Sequence, residues 1–219
     1  MIPVLSIVGS SDCGKTTLLE NLIRELSGRG YKVGTIKHDV HGFDIDKEGK
    51  DTYRHKQAGA HSVLISSPWK YALISDVDSE KPLDEIVGFM PLELDIILTE
   101  GFKSADKPKI EIFRKNHSDE LLCADNPSLV AVATNDKNNS ALEGIKNILD
   151  LDNTKEIADF IEKHYIQKSY GRVSLTVNGE KIKLNQFARD IVESTLKGVI
   201  SQLKGCENPK DIDIKIKDI

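Results

Sequence analysis

The sequence predicts an α/β fold: a mostly parallel sheet with helices on both faces, followed by a small ββαβ appendage at the C-terminal end. Three observations predict it. Short apolar, β-branched runs alternate with amphipathic segments as far as about residue 165. The first of these runs ends in a glycine-rich loop that opens a helix. Beyond a polar break at Gln167 to Gly171, two alternating runs flank Asn178-Gly179, a two-residue hairpin signal.

Element by element, Ile2 to Val8 reads as a buried strand, and Gly9 to Gly14 as a loop. Thr16 to Arg29 has helical spacing, with Leu18, Leu19, Leu22, Ile23 and Leu26 on one face, and Gly28 and Gly30 stop it. Tyr31 to Ile36 is a second strand, so the first segment is a βαβ unit with a right-handed crossover. Lys37 to Asp51 is polar, a loop or irregular hairpin, and Thr52 to Ala58 is a helical turn. Ser62 to Ser66 and Tyr71 to Ser75 are short strands, and Leu83 to Phe89 is a helix. Leu94 to Leu98 is apolar enough for a central strand. Lys109 to Phe113 and Leu129 to Ala133 are two more. Thr154 to Tyr165 is a helix that buries Ile157, Phe160 and Ile161. In the appendage, Val173 to Val177 and Lys181 to Leu184 form the hairpin, Asn185 caps a helix to about Leu203, and Ile212, Ile214 and Ile216 alternate as a last strand. The expected division is residues 1–168 and residues 169–219.

Composition narrows the function classes. The chain has 219 residues, enough for one α/β domain with a proper core plus a small appendage. Thirty-five acidic residues against 30 basic ones give a net charge of -5, which argues against nucleic acid as a partner. The three cysteines, Cys13, Cys123 and Cys206, form no C-x-x-C pair, so neither a disulfide framework nor a zinc ribbon is expected. No apolar stretch is long enough to cross a bilayer, and the apolar N-terminal run lacks the basic residues of a signal peptide. A soluble, cytoplasmic protein is expected.

Gly9-Ser10-Ser11-Asp12-Cys13-Gly14-Lys15-Thr16 fits G-x-x-x-x-G-K-[ST] at every fixed position, with Thr17 following. Each part has a physical task in holding a nucleoside triphosphate. The glycines permit backbone angles that turn several N–H groups inward as an anion nest. The helix that begins at the loop adds its N-terminal dipole. Lys15 supplies charge toward the β- and γ-phosphates, and the Thr16 hydroxyl can ligate Mg²⁺. The motif lies between a strand and a helix, the context of a P-loop NTPase-type fold. Cys13 sits inside the loop, where a small side chain pointing away from the phosphates is the simpler reading than a reactive thiol.

Glu100 ends the apolar run from Asp95 and is followed by Gly101, where the chain can turn away. A carboxylate at that end of a neighbouring strand holds the Mg²⁺ shell or orients water, so Glu100 is the candidate catalytic and metal residue. Asp95, at the opposite end, reads as a boundary residue. A dense polar set follows the second strand: Lys37, His38, Asp39, His41, Asp44, Asp46, Lys50, Asp51, Arg54 and His55. His38 and His41 lack a third metal ligand at an obvious spacing, and a solvated loop explains them equally well. Lys37, Lys50 and Arg54 could hold a phosphate-bearing ligand. Thr134-Asn135-Asp136-Lys137 follows a strand, where Asn135 and Asp136 could read a purine base or simply form a polar turn.

Taken together, these residues resemble the molybdopterin-guanine dinucleotide biosynthesis adaptor protein B (MobB) family. The matching stretches are Gly9 to Leu18, Thr35 to His38, Phe43 to Thr52, Arg54-His55, Ala58 to Ala60 and Thr99 to Lys103. The F-D-x-D-x-x-G-K-D and E-G-F-K stretches make the resemblance specific, and it runs from Ile2 to about Tyr165. It implies a GTP-binding, dimeric protein of molybdenum-cofactor assembly that hydrolyses GTP weakly. Its implied partners are the guanylyltransferase that attaches GMP to molybdopterin, and molybdopterin itself. The family's site residues carry over onto Gly9, Gly14, Lys15, Thr16, Thr17 and Glu100, and its loop motif onto Lys37, His38, Asp44, Asp46, Lys50 and Asp51. Two features depart from the pattern: the base-reading segment is not a full N-K-x-D, and Val173 to Ile219 extends past the basic family domain. The competing readings are a small-molecule kinase on the same loop, although no Arg-rich lid accompanies Arg54 and Arg114, and a partner-binding module in which nucleotide only sets shape.

Overall fold

A computed structural model describes residues 2–39, 42–115, 117–166, 173, 175–182, 184, 186–207, 209, 212–214 and 216. In chain order its strands are β1 (Val4–Gly9), β2 (Val33–Lys37), β3 (Ser62–Ser66), β4 (Tyr71–Ser75), β5 (Ile96–Glu100), β6 (Lys109–Phe113), β7 (Leu129–Thr134), β8 (Ile148–Asp150), β9 (Leu175–Val177) and β10 (Glu180–Ile182). The α-helices are α1 (Lys15–Gly28), α2 (Asp51–Gln57), α3 (Leu83–Val87), α4 (Thr154–Ile161) and α5 (Gln186–Ile200). Contacts divide the chain into two units, Met1–Lys37 with Met90–Ile219, and His38–Phe89.

The larger unit is organised by a six-stranded sheet of order β2-β5-β1-β6-β7-β8, in which every neighbouring pair is parallel. From β1 the chain passes through α1 to β2, outside β5, and later strands build outward on β1's other flank. The direction of winding therefore changes at β1, and its carboxyl end is the place where a ligand crevice opens in such sheets. The strands are buried on both faces: Leu5, Ile7, Ile96, Ile97, Leu98 and Ile110 are fully enclosed.

Helix α1 lies on one face because Leu18, Leu19, Leu22 and Leu26 recur at helical spacing and are buried there, with Ile23 half-covered beside them. It ends in a Schellman motif. Tyr31 N–H donates to the Leu26 carbonyl at 3.1 Å and Gly30 N–H to that of Ser27 at 2.9 Å, with Gly30 at φ 87°. Helix α4 packs on the same side through Ile157, Ala158 and Ile161, while Phe160 is only half-buried at the edge of that core. Arg29 ties the two helices together, reaching Asp159 at 2.7 Å and Glu162 at 2.6 Å. On the other face Phe113, Val132 and Leu142 form a second cluster, to which a 3-10 turn at Ser140–Leu142 contributes. That turn and the three-residue strand β8 were not anticipated from the sequence.

The second unit holds α2, α3 and the antiparallel hairpin β3–β4, paired from Ser62↔Ser75 to Ser66↔Tyr71. The sequence marks both strands but gives no sign that they leave the main sheet. In the C-terminal segment, β9 and β10 pair around Asn178 at φ 52° and Gly179 at φ 85°, both left-handed as a type I′ turn requires. Helix α5 follows. The described residues 212–214 and 216 are in no strand, so the last strand of the expected ββαβ unit is not formed by them. The expected cap Asn185 and the break at 167–171 lie outside the described residues.

Candidate functional site

The loop from Gly9 to Gly14 joins β1 to α1, and its shape depends on both glycines. Gly9 has φ 152°, and a Cβ there would lie 2.7 Å from Cys13 Sγ and 2.9 Å from the Ile112 carbonyl. No side chain fits. Gly14 caps α1 at φ 99°, in the left-handed region, and Asp12 joins it there at φ 57°. Ser10 is half-buried, while Ser11, Asp12 and Thr17 are exposed. Cys13 is buried in the main core, and that burial pushes its thiol pKa up, against the opposing charge of Lys15. It is a packing residue.

Two side chains of the loop already face polar partners. Lys15 Nζ donates to the Ser10 carbonyl at 2.6 Å and the Gly9 carbonyl at 3.3 Å, folded over the loop. The Thr16 hydroxyl donates to Glu100, 3.0 Å from Oε1 and 3.2 Å from Oε2. The sheet register explains that meeting. Glu100 is the last residue of β5, opposite Ile7 of β1 on one side and Lys37 of β2 on the other. Buried Thr99 donates to buried Ser6 at 2.9 Å, locking the two strands just before the site. After Glu100 the chain turns sharply, with Gly101 at φ 93° and Phe102 at φ 54°. Lys37 thus stands at the same sheet edge as Glu100, exposed.

Asp95 has the boundary role read from the sequence: it is buried, and accepts from Lys32 N–H at 2.8 Å. Asn135 and Asp136 follow β7, two strands from β1 on the same carboxyl edge. Asn135 Oδ1 accepts from Lys115 N–H at 3.1 Å, and Asp136 accepts from Asn139 at 3.3 Å in a local turn. Arg114, noted in the sequence only for the lid it does not form, directly follows β6. Its Nε donates to the Cys13 carbonyl at 3.2 Å. The signal for it was a lone arginine closing the alternating strand Lys109–Phe113.

His38, Asp44, Asp46, Lys50 and Asp51 belong to the second unit. His38 lies 2.9 Å from Glu80, and His41 is outside the described residues. Asp46 accepts from Lys47 N–H at 2.8 Å and from the Thr52 hydroxyl at 3.0 Å, organising the turn into α2. Asp46, Lys50, Asp51, Thr52, Ile65 and Leu73 help line a pocket of about 450 Å³ within this unit. Among the described residues no group of three or more His, Cys, Asp or Glu is arranged to hold a metal, and no helix is long and apolar enough to cross a membrane.

Comparison with known proteins agrees with this geometry. The family described as "Molybdopterin guanine dinucleotide synthesis protein B" matches residues 4–135. A Haemophilus influenzae protein named "Molybdopterin-guanine dinucleotide biosynthesis adapter protein" is 40% identical over 162 residues, 74% of this chain and 88% of the relative. A Methanocaldococcus jannaschii relative is 28% identical over 235 residues, 97% of this chain and of its own length. The crystal structure of a molybdopterin-guanine biosynthesis protein B superposes with a TM-score of 0.56 at 30% identity, covering 73% of this chain and 97% of that one. The fold, the phosphate loop with its facing carboxylate, and these matches place the chain in the molybdopterin-guanine dinucleotide biosynthesis protein B family.

Proposed function

We propose that this chain is a GTP-binding adapter with slow hydrolysis that assists formation of molybdopterin guanine dinucleotide. It works in the cytoplasm as a homodimer, beside the guanylyltransferase that uses molybdopterin. The observation that carries the nucleotide reading is the contact of Thr16 with Glu100 at 3.0 Å beside a complete phosphate loop. A hydroxyl and a carboxylate so placed are hard oxygen donors, a set that suits Mg²⁺. When bound there, Mg²⁺ neutralises charge on the β- and γ-phosphates.

The chain's own groups divide the rest of the work. The amides from Gly9 to Thr17 surround the phosphates, and Lys15 exchanges its two loop carbonyls for phosphate oxygens. Glu100 orients water on the phosphate side. Asn135 and Asp136 stand where the base would lie, toward β7. Support for a homodimer comes from the β3–β4 hairpin, which leaves Leu64, Ile65, Tyr71 and Leu73 exposed, and Trp69 at its tip 93% exposed.

The test is competition binding with GTP and ATP on the full chain, with Lys15→Ala as control. GTP should displace a labelled guanine nucleotide at lower concentration than ATP, and the control should bind neither tightly. Hydrolysis of GTP to GDP and phosphate should stay slow when guanylyltransferase and molybdopterin are added, because the GTP that the transferase uses releases pyrophosphate instead. Equal affinity for ATP would overturn the guanine preference, and fast turnover that depends on a small-molecule acceptor would replace this reading with a kinase.

A further inference from the structure

We infer that Arg114 is a positioning residue of the phosphate loop, one that sets the Cys13–Gly14 peptide for phosphate binding. The inference rests on the nucleotide-binding reading above. Arg114 comes from β6, which pairs with β1 up to Gly9↔Ile112, so the residue after the strand is delivered beside the loop by register alone. Its Nε–H donates to the Cys13 carbonyl at 3.2 Å. One terminal nitrogen lies 3.3 Å from where a Cβ on Gly14 would stand. The guanidinium is therefore laid along the Cys13–Gly14 backbone, half-buried.

The consequence follows from peptide geometry. In a planar trans peptide the C=O and the following N–H point in opposite directions. Holding the Cys13 carbonyl from the β6 side turns the Gly14 N–H away from Arg114, as a donor for the bound phosphate. Gly14 is at φ 99°, a conformation with few steric constraints for glycine, so this peptide needs an outside contact to fix its orientation. The positive charge on that carbonyl also polarises the peptide and strengthens its N–H as a donor. A lysine supplies the charge but not the rigid planar fork.

The experiment uses the full chain as wild type, Arg114→Ala and Arg114→Lys, each checked for native circular dichroism. GTP and inorganic tripolyphosphate are titrated calorimetrically, and the Gly14 amide is followed by ¹⁵N NMR. A lost charge-assisted hydrogen bond should weaken both ligands about tenfold or more in Arg114→Ala. The Gly14 amide should lose most of its ligand-induced shift there, while millimolar guanidinium restores part of both effects. Arg114→Lys should recover less than half of the loss on a logarithmic scale. Wild-type affinity and shift in Arg114→Ala would overturn the inference, and so would full recovery by Lys, which would make charge alone sufficient. If Arg114→Ala does not fold, Arg114→Lys decides by the same two readouts. Wild-type protein that binds neither ligand would overturn the nucleotide reading itself, and this inference with it.

Discussion

At the residue scale, the contact between Thr16 and Glu100 combines two roles that can be separated by experiment. The hydroxyl donates to both carboxylate oxygens, 3.0 and 3.2 Å away, so the carboxylate is held at the mouth of the loop before any ligand arrives. Its strand is fixed behind it by the buried Ser6–Thr99 pair. Glu100→Gln keeps an oxygen that can still accept from Thr16 but removes the charge. In the proposed function the loop amides and Lys15 hold most of the phosphate, so GTP affinity should fall by no more than about threefold. Hydrolysis should fall on the order of a hundredfold, the range typical for a group that positions or activates the reacting water. Single-turnover rates compared with binding isotherms check this. Equal loss in both measurements would mean that Glu100 only builds the loop. The sequence marked each of these residues by its own local pattern, a phosphate-loop threonine and a strand-end acid, while the contact between them comes from β5 lying beside β1. It did not disclose Arg114's partner, because that depends on which strand lies beside β1.

At the scale of elements, legibility follows the same division between local and distant causes. Strand β1, helix α1 and the β9–β10 turn were readable because apolar runs, helical spacing and Asn-Gly act within a few residues. Strand β8 has three residues, Ile148–Asp150, too few to show a period. Strand β6 misleads more deeply. Its Lys109 and Glu111 look like solvent-facing positions, yet they are 0% and 1% exposed. Lys109 donates to the carbonyls of Ala105 and Lys107, and Glu111 accepts from Leu122 N–H at 2.6 Å and Cys123 N–H at 2.9 Å. These two side chains hold the loops on either side of β6 by the hydrogen bonds that an irregular chain cannot make with itself. Burial raises the Glu111 pKa above 4.5, and the two backbone hydrogen bonds offset this only in part. A folded pKa above the unfolded one means that the folded state keeps its proton longer. The contribution to stability is therefore complete below pH 4.5 and is lost as pH rises through the folded pKa. Glu111→Gln puts an NH₂ group against one of the two N–H donors, so it should cost about 1–3 kcal/mol in urea unfolding. The gap from wild type should narrow as pH rises from 4.5 toward neutrality. A constant gap over that interval would show that folding leaves the Glu111 carboxyl unshifted, and a widening gap that folding lowers its pKa.

At the scale of the whole molecule, the question is what the C-terminal segment contributes. The described members of the core around β1 run from Leu5 to Ile166, all ahead of the C-terminal segment. The crystal structure of a molybdopterin-guanine biosynthesis protein B is matched over 97% of its length by 73% of this chain. The M. jannaschii relative spans nearly all of it, so the segment recurs beyond this chain. Helix α5 and the turn after it expose Phe187, Ile191, Val199 and Leu203, spaced by multiples of four on a stripe that winds nearly halfway round the helix axis. A unit of under about 50 residues has little core of its own, and this stripe is what it would present to another surface. We therefore expect a chain truncated after Lys168 to keep its fold, bind GTP within about twofold of full-length affinity, and keep the sedimentation behaviour of a dimer. The first two follow from a core whose described members all precede the cut, and the third from placing the dimer contact on β3–β4 rather than on α5. Calorimetry and sedimentation velocity on both chains measure these together. Loss of GTP binding would join the two parts into one functional unit. A monomer that still binds GTP would move the dimer contact to α5, and the exposed stripe would be the first place to look for it.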